Sequence, residues 1–513
     1  MPMVTLRPSM TLAEAFDAAL AAAGDAALTA DRERATLREL DIRARALAAR
    51  LCRYGVRAGD HVALLLPNGI RYAEALLAVV RLGGVLVALD PELPARELES
   101  LTRTLPLRAT LSDHSLPASA RLDVTAAQDG WPGLGVAPGT PPSGGFAARR
   151  REDPGAVFLT SGTTGHPKPV VLTHHQLVRP IIALGRLQRA FFSGTPLERA
   201  RSLATVGRRH GTRLLRAAGR QTWLTTSPFR SMAGHQVLMG ALLLGHDLVT
   251  ASSFHPRRTL ELLDEHRVNV LAGTPAMLEL LLRIKDLSPY DLSSLLIIGV
   301  GGGPAAPDLV HRARERFGCA VTIGYGSTEL GGGVLSTRLE DPLRAQAETV
   351  GRPFPGTEIR VVDEGGAEAP PGAAGELLCR PEGASAWLRT GDLAALDPDG
   401  NVRILARKDD LIVRGAQNVH PLEIERVVEE LPAVGRCAVV AVPAHGDQQV
   451  WAFVTAADGH IPSAEQVRRH CRASLAPSKR PDRVRVLEGL PTNELGEVLK
   501  RELRARAAAQ VAP

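Results

Sequence analysis

Over residues 12–113, stretches with an apolar side chain every three or four positions alternate with short, wholly apolar runs, and this alternation restricts the fold more than any other feature. Residues 40–54 carry the 3.6-residue period of an amphipathic helix, while residues 61–66 read as a buried strand. Such alternation points to parallel α/β layers. Residues 156–160 repeat the strand pattern. Residues 116–154, rich in Pro, Gly and Ala and without a period, are expected to cross the surface between layers.

The chain of 513 residues has room for two or more domains. Residues 358–404 alternate in short segments broken by Gly and Pro, which suggests a β-rich layer, and Asp397-Pro-Asp-Gly400 is a hairpin-turn signal. After Arg407 a mixed α and β pattern returns, long enough for a separate small domain.

Several functions are disfavoured. Five widely spaced cysteines without a C-x-x-C pair remove a zinc ribbon and a redox dithiol, and fit a reducing cytoplasm. The most apolar segment, residues 72–90, is interrupted by Glu74, Arg81, Gly83 and Gly84, so neither a membrane span nor a signal peptide is expected. A net charge of +6 is too thin over this length to argue for a polyanionic partner. The arginine-rich stretch at 177–223, including Arg186, Arg189, Arg199, Arg201, Arg208, Arg209, Arg213, Arg216 and Arg220, contains only Phe191, Phe192 and Trp223 as aromatics. A solvated helical face is expected there rather than a nucleic-acid arm, with a docking surface for phosphates or an acidic carrier as the other reading. Against 56 arginines there are only five lysines, which makes each lysine position informative.

One of them, Lys168, closes Thr160-Ser161-Gly162-Thr163-Thr164-Gly-His-Pro-Lys168, which follows a strand pattern and precedes a helical pattern at 172–177. Hydroxyls, flexible backbone amides and one ammonium group make a cradle for phosphate oxygens. The spacing is not that of a Walker loop.

This loop resembles the Ser/Thr/Gly-rich signature of the adenylate-forming superfamily, which includes acyl-CoA synthetases, peptide-synthetase adenylation domains and luciferases. Gly324-Tyr-Gly-Ser-Thr-Glu329, Gly301-Gly-Gly-Pro304, Trp387-Leu-Arg-Thr-Gly-Asp392, Arg407-Lys-Asp409 and Arg414-Gly-Ala-Gln-Asn-Val-His-Pro421 resemble further motifs of the family, in the family's order. The resemblance implies an α/β fold with a large N-terminal domain (1–408) of two α/β layers and a β-barrel-like part, and a small, mobile α+β domain (409–513). It implies that residues 160–164 and Lys168 meet phosphates, that Tyr325 stacks on adenine with Gly326 and Ser327 beside it, that Thr328 contacts the α-phosphate and that Glu329 holds Mg²⁺. Gly302, Gly303, Pro304 and Ile404 would line the nucleotide, Asp392 would accept from the ribose hydroxyls, Arg407 would reach ribose or phosphate, and Asp409 would be the pivot. Arg230, Ser231, Met232, Gly301 and Gly331 would line the acyl pocket; Arg414, Gly415, Ala416 and Lys479 would line the tunnel for CoA. The implied chemistry has two halves: ATP and a carboxylate give an acyl-adenylate, and a thiol then displaces AMP.

The family's C-terminal Gly-Lys segment carries a lysine that serves the first half. Here the segment reads Gly496-Glu497, and Lys500 matches a later basic position. Two anions must meet in the adenylation transition state, so cations are required. A unit charge at about 4 Å with an effective dielectric near 20 is worth about 4 kcal/mol, so exchanging +1 for −1 raises that barrier by up to about 8 kcal/mol. That is on the order of 10⁵ to 10⁶ in rate. Thiol attack needs no cation at this position, since the thiolate is intrinsically nucleophilic. The expected function is therefore an acyl-CoA ligase confined to thioester formation from an acyl-adenylate made by a separate ligase, on a bulky apolar acid of specialised metabolism. A complete ATP-dependent ligase, with Lys500 substituting if residues 497–500 are helical, and a silent adenylate-binding protein are the alternatives. Pro169 in place of Gly, Ser231 where relatives carry a ring, and Ala416 in place of Gly are smaller departures.

Overall fold

A computed structural model describes residues 4–93, 95–113, 123–125, 133–136, 149–160, 168–190, 195–211, 214, 219–414, 417–444, 447–457, 460–493 and 496–511. The chain forms two compact units, residues 1–302 with 309–343 and 354–356, and residues 303–308 with 344–353 and 357–513.

The first unit holds the expected parallel layers. One sheet runs Gly332–Ser336, Ala320–Ser327, Ile297–Val300, Val270–Gly273, Thr222–Thr225, Asp247–Thr250, Ala27–Ala30, Glu33–Thr36, parallel from Ala320–Ser327 to Ala27–Ala30. The other runs Asp123–Thr125, Gly133–Val136, Leu107–Ser112, His61–Leu65, Val85–Ala88, Pro154–Thr160, Lys168–Thr173, with its four central members parallel. The helix expected at 40–54 spans Leu37–Arg53. It begins at a capping box of Thr36 and Glu39 and buries Leu40, Ala44, Leu47, Ala48 and Leu51 on one face. Arg81, which breaks the most apolar segment, is buried but paired: its Nε lies 2.6 Å from Asp41 Oδ1 and its Nη1 2.7 Å from Asp17 Oδ1. Residues 116–154 are not simply a crossing, because two short strands within them extend the second sheet.

The second unit contains a four-stranded antiparallel sheet, Glu358–Val362, Gly375–Arg380, Leu388–Leu396 and Val402–Arg407 in sequence order. The turn signal at 397–400 is realised: the Gly400 N–H donates to the Asp397 carbonyl at 3.0 Å, with Gly400 at φ 78°. Thr357–Pro513, which includes this sheet, forms one continuous part of the second unit. Its C-terminal portion is a three-stranded sheet, Val434–Ala444, Asp447–Ala456 and Arg483–Leu487. Val439, Val450 and Val454 pack on one side with Ile424 and Val428 of the Pro421–Glu429 helix. Val440, Trp451 and Phe453 pack on the other with Leu503 and Ala507 of the Lys500–Val511 helix, as period-2 alternation requires.

All five cysteines are free, and burial pushes the thiols up, Cys319 and Cys379 to about 12 and Cys471 to about 11. None is a nucleophile at neutral pH. Among the described residues no helix is long and apolar enough to cross a membrane. The arginine-rich stretch is partly structural. Arg179 is buried, and Arg220 binds Asp247 and Asp25. Arg199, Arg201 and Arg208 are exposed on the Pro196–His210 helix, while Arg213 and Arg216 lie outside the described residues.

Candidate active site

The phosphate-type loop joins two strands rather than a strand and a helix. Thr160 pairs with Lys168 at the end of an antiparallel ladder, and the Thr160 hydroxyl donates to the Lys168 carbonyl at 3.4 Å. The helical pattern at 172–177 begins only at His174, because β-branched Val170, Val171 and Thr173 favour the strand and Thr173 with Gln176 starts the helix. Thr160 is half-buried and Lys168 exposed at the base of the loop; Ser161, Gly162, Thr163 and Thr164 lie outside the described residues.

A second group gathers at the C-terminal ends of the parallel strands, where open α/β sheets bind ligands. Gly301 follows the Ile297–Val300 strand, its N–H donating to the Gly273 carbonyl at 3.1 Å. A Cβ on Gly301 would sit 3.4 Å from the Gly324 carbonyl, which places it beside the hairpin formed by Ala320–Ser327 and Gly332–Ser336. Gly302, at φ 76°, leads into Gly303 and Pro304 ahead of the Pro307–Phe317 helix.

Tyr325, Gly326 and Ser327 end the first hairpin strand, and Thr328, Glu329 and Gly331 form its turn. The Leu330 N–H donates to Ser327 Oγ at 3.3 Å and the Gly331 N–H to the Thr328 carbonyl at 2.9 Å. Helices brace this turn from outside: Arg179 Nη2 donates to the Leu330 carbonyl at 2.5 Å, and Gln236 Oε1 accepts from the Gly333 N–H at 2.8 Å. Glycine is required twice. A Cβ at Gly326 would meet the Gly332 carbonyl oxygen at 2.1 Å, and Gly331 has φ 74° with the Gln176 carbonyl 2.8 Å from any Cβ. Thr328 is half-buried and Glu329 exposed.

Arg230 pairs with Asp90 at 3.1 Å. Ser231 caps the Met232–Leu244 helix, accepting from the Gly234 N–H at 3.2 Å and donating to the Pro228 carbonyl at 2.7 Å, so a local requirement explains a hydroxyl there. Met232 is buried. Sequence reasoning missed an apolar cavity beside Gly301, lined among others by Thr226, Phe254, Gly273, Met277, Leu281 and Val300. Its signal was the Thr274-Pro275 helix start with Met277, Leu278 and Leu281 on one buried face.

In the second unit the ladder places Asp392 opposite Arg407, and Arg407 Nε lies 2.9 Å from Asp392 Oδ1. Asp392 is buried at 5% exposure, while Arg407 remains exposed. Ile404 lies on the same strand as Arg407. Lys408 Nζ is 3.2 Å from Glu376 Oε2, and with Arg389 it holds that buried carboxyl below the usual carboxylate range. Asp409 is exposed in the following 3₁₀ turn. Arg414 Nη2 is bound to Asp482 Oδ1 at 2.6 Å, and Lys479 Nζ to Glu423 Oε1 at 2.6 Å. Gly415 and Ala416 lie outside the described residues.

Glu497 sits in a turn bridged by Thr492 and Val498. Asn493 fastens it three times: its Nδ2 donates to Glu497 Oε2 at 2.6 Å, its Oδ1 accepts from the Glu497 N–H at 2.9 Å, and its N–H donates to the Glu497 carbonyl at 2.9 Å. Arg436 donates to the Gly496 carbonyl at 3.1 Å. Surrounding protein crowds the carboxyl and raises its pKa, opposed by the Asn493 amide and the charge of Arg407, although the residue keeps exposed surface.

Lys500 is not one helical turn beyond Glu497, because the helix starts at Lys500 itself. Its ammonium lies 2.7 Å from Glu425 Oε1 and 4.0 Å from Asp410 Oδ2, and Arg504 also pairs with Asp410. Among the described residues no group of three or more His, Cys, Asp or Glu could hold a metal ion.

Residues 16–385 match the AMP-binding enzyme family, and residues 423–497 match its C-terminal domain. A feruloyl-CoA synthase from Amycolatopsis is 30% identical over 92% of this chain and 94% of its own length. A methyl-dioxo-octahydro-indenyl-propanoyl:CoA ligase from Mycobacterium tuberculosis is 30% identical over 93% and 95%. The anthranilate CoA ligase AuaEII, solved with anthranoyl-AMP, superposes with a TM-score of 0.81 at 22% identity over 99% of both chains.

Proposed function

The chain belongs to the family of AMP-binding enzymes, and from that membership we propose that it is an acyl-CoA ligase working through the thioester-forming half-reaction: acyl-AMP and CoA give acyl-CoA and AMP. The names of its relatives support an acid–thiol ligase on small carboxylic acids. What supports the restriction is Glu497, which stands where the resemblance implies the family's lysine, together with Lys500 paired to Glu425 and Asp410.

In this reading residues 160–164 and Lys168 meet the phosphates, Tyr325 meets the adenine, Thr328 meets the α-phosphate, and the Gly301–Pro304 segment runs along the nucleotide. Asp392 accepts from the ribose hydroxyls, and Arg407, already oriented by Asp392, reaches the phosphate. Glu329 is a lone exposed carboxylate, so Mg²⁺ there would be shared with phosphate oxygens, the usual habit of that ion. Residues 409–513 act as the mobile domain with Asp409 as pivot, and bring Arg414, Gly415, Ala416 and Lys479 to the pantetheine. The thiol gives its proton to water, the sulfur attacks the acyl carbon, the carbon–oxygen bond to phosphate breaks, and AMP leaves with the electron pair. Arg230, Ser231, Met232 and Gly331 complete the acyl side. A partner ligase supplies the adenylate, and direct handover keeps the anhydride from water; free thiols throughout suit a reducing cytoplasm.

The test is pyrophosphate release with ATP, Mg²⁺, CoA and a panel of acids, beside thioester formation from chemically made acyl-AMP. The wild type is expected to be silent in the first and active in the second, and Glu497→Lys to raise pyrophosphate release by at least about 10³, the conservative part of the charge effect. Equal release from wild type and variant would sink the restriction.

A further inference from the structure

Within the second unit the chain passes from the four-stranded sheet to the C-terminal portion through the 3₁₀ turn Lys408–Asp410, and each end of that turn is fastened to a different sheet. On the near side Ala406 is buried in the ladder opposite Leu393, and the Lys408 ammonium lies 3.2 Å from Oε2 of the buried Glu376, on the Gly375–Arg380 strand. On the far side Ile412 is buried with Ile424 and Val428. Asp410 is held from the Lys500–Val511 helix: Arg504 Nη2 donates to its Oδ1, and Lys500 Nζ stands 4.0 Å from its Oδ2 while pairing with Glu425 Oε1 at 2.7 Å. That helix is itself set on the three-stranded sheet through Leu503 and Ala507. Between the two anchors Asp409 is exposed, and among the described residues its side chain makes no hydrogen bond or ion pair. Its carbonyl is approached by Arg504 Nη2 at 3.5 Å, the outer limit of a hydrogen bond.

We propose that these ion pairs confine bending between the two sheets to Asp409, and that Asp410, Arg504 and Lys500 are positioning residues for the thioester step. The proposal deepens the reading above, in which residues 409–513 move about Asp409, and rests on it. Rotation on the near side of Lys408 pulls its ammonium from Glu376, and rotation beyond Asp410 pulls its carboxylate from Arg504. The soft dihedrals flanking the Asp409 Cα break neither pair. Hinges absorb a domain movement in one or a few such residues. A pivot confined to one residue leaves the moving part few orientations to search, whereas a pivot spread over several multiplies them, a cost of the same kind as lengthening a loop. The Arg504 and Asp410 side chains are partly exposed, so their pair adds little to global stability, and breaking it frees the turn without unfolding the domain.

The experiment is native-state amide hydrogen exchange, read by mass spectrometry on the full-length protein, beside thioester formation from a series of chemically made acyl-AMPs and CoA. Arg504→Met and Asp410→Asn should each speed exchange by at least about fivefold in peptides covering residues 409–412, where the Leu411 N–H donates to the Lys408 carbonyl at 3.2 Å. Lys408→Met should speed it at 405–408 instead. Arg501→Met, an exposed change on the same helix, should leave both segments as they are. The double variant Asp410→Asn/Arg504→Met should exchange no faster than either single one, because the two residues act through one contact. In the thioester assay Arg504→Met should lower kcat about three- to tenfold with KM for the adenylate within about twofold, as for a slowed conformational step, and Arg504→Lys should restore most of the loss. Unchanged exchange at 409–412 in both single variants overturns the clamp. Faster exchange with unchanged kcat overturns its part in turnover. If the wild type forms thioester from none of the adenylates, the proposed function fails by itself, and faster, non-additive exchange still bears out the clamp.

Discussion

Two tight turns carry the residues on which the proposed chemistry rests, and they are held in opposite ways. The turn after Ser327 is braced from outside by Arg179 and Gln236, and its close backbone approaches exclude a side chain at Gly326. The turn at 492–498 is fastened largely by its own Asn493. A self-fastened turn can exchange a lysine for a glutamate without disturbing its neighbours, whereas an externally braced one is tied to the packing around it. The Gly324–Glu329 motif lies in the braced turn, and Glu497, the proposed charge reversal, lies in the self-fastened one.

The contrast can be broken by substitution. The largest effect on stability is expected at Gly326→Ala, where a methyl group meets backbone at 2.1 Å. A loss of about 3 kcal/mol is expected in a denaturant titration, the upper end for overpacking. A tolerant Gly326 would show that the brace gives way easily. Next comes acid. His235 adjoins Gln236 on the bracing helix, is buried against Phe158, and is pushed down to about 4 by burial. The folded state therefore refuses a proton that the unfolded chain takes near 6.5, and stability falls by about 1.4 kcal/mol per unit as the pH drops between those values. His235→Phe should flatten that slope, as read from unfolding midpoints across the range.

Lys500→Met leaves the buried Glu425 carboxylate without its cation, at a cost of about 2 kcal/mol once the partial exposure of the pair is allowed for. In the Glu497→Lys background it should leave pyrophosphate release unchanged; loss of that release would make Lys500 the missing cation and remove the contrast between the two basic positions. The smallest effect is expected at Glu497→Gln, within about 0.5 kcal/mol in an exposed turn. Because the folded carboxyl is raised above its ordinary 4.5, the folded state holds its proton longer. The wild type should then lose slightly more stability than the variant as the pH rises through 4.5 toward the folded value, which paired melts would detect.

The alternating layers, the hairpin at 397–400 and the free cysteines were legible in residue order, because they depend on local periodicity, turn chemistry and spacing. The strand at Lys168–Thr173 was misread because Leu172–Leu177 also suits a helix, and only pairing with Pro154–Thr160 decides between them. The strands within 116–154 carried no period and formed by joining an existing sheet edge. Of the candidate site, the order of motifs and the glutamate at 497 needed nothing beyond the residues.

The sequence alone determined the parallel α/β architecture and the glutamate at 497, since periodicity and side-chain identity are properties of the chain itself. Tertiary structure alone decided that Lys500 is bound to Glu425 and Asp410, that Asn493 fixes the Glu497 carboxylate, and that Ser231 caps a helix. Each of these is a contact whose energy depends on a few tenths of an ångström, and only the packed chain sets distances that fine.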